Sequence, residues 1–223
     1  MKIYFGVVTL LSTLLLAPTT WATAVIGPDT LVDNTAKEVL TIIRQDKGIK
    51  SEKKNRLLNL VEAKILPHFD FKHMTRLAMG KNWSKAAPRQ QQEIANQFRT
   101  LLVRTYYKAL SVYSDHTIKV TPIKDIAGNT NVTVKTQAIK NNGHHTVPIN
   151  YSMEKTSSGW KVYDITVAGI SLVINYRGSF NSQIRRGGIE GLLKTLADKN
   201  RKLDAKDKKK SAALVKQKTV VTI

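Results

Sequence analysis

Cysteine is absent from this chain of 223 residues. That excludes disulfides, thiolate metal sites, a cysteine nucleophile and an amino-terminal lipid anchor through cysteine. The fold must rest on its hydrophobic core, and a chain of this length can bury one. Acidic residues are scarce, with 16 Asp and Glu against 36 Lys and Arg, a formal charge of +20. Long apolar runs are scarcer still: the one candidate is Ile3 to Leu16. It is shorter than the ~20 apolar residues a spanning helix needs. With Lys2 before it and the small-x-small site Ala22-Thr23-Ala24 after it, residues 1–24 read as a secretory signal peptide, cleaved after about Ala24. The expected product is an exported, soluble domain.

Export changes the meaning of the charge. A very basic chain first suggests nucleic acid, but an exported one meets little of it. The anionic surfaces it meets are membranes. The basic residues concentrate at the end, where Asp198 to Ile223 holds nine of them against three acids. Residues 201–223 read as a solvated, flexible tail.

Catalytic and cofactor signatures are also missing. Gly80-Lys81 fails as a phosphate loop, because the position five before Gly80 is Thr75 and Asn82 follows Lys81. Gly187-Gly188-Ile189-Glu190-Gly191 has no strand leading into it, so it is no dinucleotide fingerprint. His68 and His73 straddle a helix start and cannot share a face, while His144-His145 sits at a hairpin tip where neighbours diverge. No metal or other cofactor is expected. Asp164 beside Tyr163 is the best acid–base candidate, for an enzyme acting on a small apolar substrate. Strand alternation opposes it: Tyr163, Ile165 and Val167 share one face, and Trp160, Val162, Asp164 and Thr166 the other. An acid so placed is expected to meet a backbone donor or a basic neighbour.

What is present is a clear change of period. Asp29 to Arg44 carries Val32, Ala36, Val39, Leu40 and Ile43 on one stripe, and Gly48 ends that helix. Ser51 caps a second helix to Leu66, stopped by Pro67, and Asp70 caps a third, FKHMTRLAM, closed by Gly80. Pro88 opens the longest helix, to about Val112. Alternation then predicts strands at Thr117–Ile123, Val132–Ile139, Thr146–Lys155 and Trp160–Val167, joined by short turns and therefore antiparallel. Past Gly169 helical spacing returns through Val173, Tyr176, Phe180 and Ile184, ends at Arg185-Arg186-Gly187-Gly188, and restarts at Ile189. Helices, antiparallel strands, then helices make an α+β domain, with one twisted sheet able to wrap the long helix.

Four blocks, in order and with their spacings, carry a resemblance. They are HFDFKHMTRLAMGKNW (His68–Trp83), QFRTLLVRTYYKALSVY (Gln97–Tyr113), WKVYDITVAGISLVINYR (Trp160–Arg177) and RRGGIEGLLKTL (Arg185–Leu196). With them residues 25–200 resemble the MlaC family of periplasmic phospholipid-binding, or toluene-tolerance, proteins. The resemblance implies an NTF2-like or cystatin-like fold of about four curved strands wrapped by helices around an apolar lipid pocket. It implies no enzymatic activity. It implies a periplasmic carrier that shuttles phospholipid between an outer-membrane lipoprotein–porin complex and an inner-membrane ABC transporter complex. The side chains expected against the acyl tails are Tyr106, Leu110, Tyr151, Val162, Ile170, Leu172 and Val173. From pattern alone, the same apolar residues would equally fill a solid core.

Overall fold

The structure, a computed structural model, describes residues 26–46, 54–141, 143 and 145–220. The signal-peptide reading, the stop at Gly48 and the cap at Ser51 lie outside the described residues. Helix α1 (Pro28–Gln45) begins with proline in its first turn and buries Val32, Val39, Leu40 and Ile43 along one stripe. Arg44 in its last turn donates to the carbonyls of Ser114 at 2.9 Å and His116 at 2.7 Å, tying the helix to the start of the sheet. Helix α2 (Lys54–Leu60) loosens into a π-turn (Val61–Ile65) and a 3₁₀ turn (Leu66–His68), so the expected stop at Pro67 is reached through wider and then tighter winding.

Phe69 then forms a parallel bridge with Val162, and the Asp70 N–H donates to the Val162 carbonyl at 2.9 Å. The Asp70 carboxylate turns back to accept from the His73 N–H at 2.8 Å and caps α3 (Phe71–Met79). Gly80 ends that helix at a φ of 55°, open to glycine and costly for most other residues. Helix α4 (Pro88–Tyr106) is shorter than expected, and the chain re-forms α5 (Ala109–Val112) after a break.

The sheet is an antiparallel meander in the order β1-β2-β3-β4-β5. Its strands are β1 (His116–Val120), β2 (Asn131–Lys140), β3 (Thr146–Thr156), β4 (Gly159–Val167) and β5 (Ile170–Ser171). Four were expected. The fifth is a two-residue edge formed when the chain reverses through Ala168 and Gly169, both at positive φ, and pairs Ile170 with Val167. The β3–β4 register shifts between Ser152 and Met153: Ser152 faces Asp164, Met153 faces Val162, and Tyr163 is left as an extra residue.

Helix α6 (Leu172–Val220) breaks at Gly187 and Gly188, whose backbone is not helical, where the sequence predicts one helix to end and another to begin. The segment read as a flexible basic tail continues as helix to Val220, and Asp207 within it is buried. Three apolar clusters result. Phe98, Phe180, Met74, Met79, Leu192 and Leu196 pack α3, α4 and α6 together. Val39, Ile43, Leu57, Leu60, Val61 and Tyr107 join α1 and α2 to the end of α4. Val32, Val134, Met153, Trp160 and Val162 seat α1 on the sheet. The helix along β1 and β2 is thus α1, while α4, the helix the sheet was expected to wrap, packs against α3 and α6. Among the described residues no helix is long and apolar enough to cross a membrane.

Candidate functional site: two apolar chambers with a common wall

The three clusters do not fill the space between them. A chamber of about 200 Å³ lies between α1 and the sheet. Val32, Ala36, Val39 and Leu40 form its helical side, and Ile118, Ile149, Tyr151, Met153 and Val162 form the other. A second, of about 170 Å³, lies among the π-turn, α3 and α4, lined by Val61, Phe71, Met74, Leu102, Val103, Tyr106, Tyr107 and Leu172. Ile65, Phe69, Leu110 and Ile165 border both. Among the described residues, no Asp, Glu, Lys or Arg side chain lines either space. The few polar groups are Thr35, His68 and tyrosine hydroxyls. Such walls offer nothing to a charged ligand group and suit hydrocarbon.

The titration of these few groups reflects the apolar setting. Burial pushes the Tyr151 hydroxyl up to about 12, helped by Tyr113 nearby. Burial also holds the His68 imidazole below its ordinary value, reinforced by Lys161 and opposed by Glu38. Both stay uncharged at neutral pH, so the α1 chamber carries no charge there.

The bulge at Tyr163 decides which β4 side chains reach these spaces. Plain alternation would put Val162 and Ile165 on opposite faces. With the extra residue they share the inner one, and both line the α1 chamber. Tyr163 points away and stacks on His73, ring centroids 4.5 Å apart. Asp164 lines neither chamber. Its carboxylate accepts from the Ser171 hydroxyl at 2.5 Å, the Ile165 N–H at 2.8 Å and the Val173 N–H at 3.1 Å. It fastens β5 and the start of α6 to β4.

Of the residues expected against lipid, Tyr106 and Leu172 line the α4 chamber, Tyr151 and Val162 the α1 chamber, and Leu110 both. Two are placed elsewhere. Ile170 is 67% exposed on the edge strand, and Val173 is 1% exposed in the helical core with Phe98 and Phe180. The positive-φ reversal at Ala168-Gly169 turns Ile170 outward, and α6 then starts at Leu172, so the next side chain faces another layer. The shared wall at Ile65, Phe69 and Ile165 was missed. Ile65 and Phe69 flank a helix stop that breaks periodicity, and the bulge hides Ile165. The α1 contribution was legible as the stripe Val32, Ala36, Val39 and Leu40.

Outside the chambers, an open polar recess holds Asp70, Lys72, His73, Arg76 and Glu154. Asp70, His73 and Glu154 are the described residues grouped closely enough to hold a metal ion. Their atoms are already engaged: Asp70 caps α3, and His73 Nδ1 meets Glu154 Oε1 at 2.6 Å. Lys72 and Arg76 beside them oppose a cation.

Comparison with known proteins agrees on one family. The profile described as MlaC protein matches residues 33–198. The intermembrane phospholipid transport system binding protein MlaC of Haemophilus influenzae is 25% identical over 199 residues, covering 86% of this chain and 91% of that one. Toluene tolerance protein ttg2D of Pseudomonas putida is 27% identical over 162 residues, 72% of this chain and 74% of its own. Among solved structures, a phospholipid-binding protein of Ralstonia solanacearum, determined in complex with a phospholipid, superposes with a TM-score of 0.73 at 37% identity. The match covers 80% of this chain and 99% of that one. The fold is therefore that of a phospholipid-binding relative, and the chain belongs to the MlaC family.

Proposed function

We propose that the protein is a soluble phospholipid carrier of the periplasm, with the acyl tails in the two chambers and the head group outside. It takes up lipid from, or delivers it to, an outer-membrane lipoprotein–porin complex and an inner-membrane ABC transporter complex. That shuttling maintains the lipid asymmetry of the outer membrane. The observation that carries the reading is the pair of side-by-side apolar chambers without a charged lining residue. The phospholipid-bound Ralstonia relative supports it.

Energetics sets what such a carrier must do. Exposing a diacyl tail to water costs ~0.8 kcal/mol per methylene, on the order of 20 kcal/mol gross. Each chamber is smaller than the ~300 Å³ at which small-molecule sites usually begin, so tails enter by parting the walls. No step needs a nucleophile or base, and the hydrogen bonds at Asp164 leave no acid facing the chambers. The deciding experiment extracts the purified protein with organic solvent and counts phospholipid by mass spectrometry. About one diacyl phospholipid per chain is expected; none, even after incubation with vesicles, overturns the reading.

A further inference from the structure

The second arm of α6, after Gly188, turns Asp204 and Asp207 to one face and a line of lysines to another. It runs parallel to α4 and is pinned to it at successive levels. Gln90 donates to Glu190 at 2.8 Å, Asn200 donates to the Gln97 carbonyl at 3.0 Å, and Arg104 donates to the Asn200 carbonyl at 2.7 Å. Arg104 also lies 3.5 Å from Asp204, and Lys108 3.3 Å from Asp207. Asp204 and Asp207 thus face Arg104 of α4 and Lys108 just past it, while Asp198 pairs with Arg201 on its own helix. The opposite face carries Lys199, Lys202, Lys206 and Lys209, spaced three, four and three residues apart, which is one line along a helix of ~15 Å. All four are exposed and, among the described residues, none forms an ion pair. The family match ends at residue 198, so this line lies past it.

We infer that this lysine line docks the protein on an anionic phospholipid bilayer surface. Its chemistry separates that occupant from an acidic protein. Specific protein interfaces are depleted in lysine and built on aromatic and arginine anchors. This face has four lysines, and residues 189–209 contain no aromatic side chain. Hydrated point charges on flexible stems, evenly spaced along a straight rod, suit a diffuse sheet of phosphates. Pinning by Asp204 and Asp207 holds the rod on the body, so that docking orients the whole protein. The inference needs no cargo in the chambers.

The test is co-sedimentation of the purified protein with vesicles of phosphatidylcholine, with and without phosphatidylglycerol, at low and high salt. Each lysine near an anionic surface contributes roughly fivefold to binding. The variant Lys199→Gln, Lys202→Gln, Lys206→Gln, Lys209→Gln is expected to lose binding to the anionic vesicles by on the order of 10²–10³-fold. Glutamine keeps the helix, and circular dichroism checks it. A control with the same loss of charge elsewhere, Lys81→Gln, Lys85→Gln, Lys119→Gln, Lys135→Gln, is expected to retain most binding. Unchanged binding of the first variant, or an equal loss in the control, overturns the inference and leaves an acidic protein surface as the occupant. Lipid extraction of the same samples reports the cargo reading separately.

Discussion

Leu110→Trp is the sharpest probe of the shared wall. Leu110 borders both chambers, and neither exceeds about 200 Å³. An indole turned into either space displaces about three methylenes of a bound tail, at ~0.8 kcal/mol each. The expected loss is about 2–3 kcal/mol, or roughly 30- to 150-fold in affinity. The assay is a titration with a fluorescent phospholipid, paired with mass-spectrometric counting of the lipid that co-purifies. Overpacking can itself cost ~1–3 kcal/mol of stability, so thermal unfolding of the lipid-stripped protein is measured alongside. Leu110→Ala supplies the converse: it lowers stability while leaving room for the tails, and loading should persist. Native melting of the Trp variant with undiminished affinity would refute the claim that tails lie against this wall.

Other outcomes follow from the same contacts. Val173→Ala should cost about 1–3 kcal/mol in chemical denaturation by opening the helical core, while Ile170→Ser should stay within ~0.5 kcal/mol; neither should alter lipid loading. Asp164→Asn keeps the shape but weakens the charge-assisted bonds to Ser171 and Val173, lowering stability by about 1–2 kcal/mol with loading intact below the melting transition. A variant with normal stability and lost function would instead revive an acid–base role. His68 has a folded pKa below its ordinary 6.5, so the unfolded chain binds the extra proton first. Its contribution is fully present above about pH 6.5 and is lost as pH falls toward the folded value. The denaturation midpoint should fall with acid across that range in the parent protein and fall less in His68→Gln.

Local chemistry was legible where it acts within a few residues. The cap at Asp70, the stop at Gly80, the break at Gly187-Gly188 and the four main strands all rest on such signals. Longer-range effects were not. The π-turn at Val61–Ile65 has no pattern of its own. The bulge adds a residue that alternation cannot announce, and it reassigned Ile165 from the outer face to the chambers. Lysine content made 201–209 look solvated. Asp204 and Asp207 find partners about a hundred positions away, Arg104 in α4 and Lys108 just past it, which composition does not reveal. Whether an apolar stripe lines a hollow or fills a core depends on how three clusters meet, and Val173 shows the difference from Leu172, its neighbour by one.

Tyr163 also marks the one place where β4 can lose a residue and keep its register. Remove that one residue and Asp164 follows Val162 directly, so plain alternation keeps the carboxylate fastened to Ser171 outside the chambers and Ile165 inside them. Gene copies that drop this single codon would keep both the clasp and the lining, whereas loss of a paired neighbour such as Ile165 would shift every residue after it. Point substitutions at the same place would disturb only the ring stacked on His73.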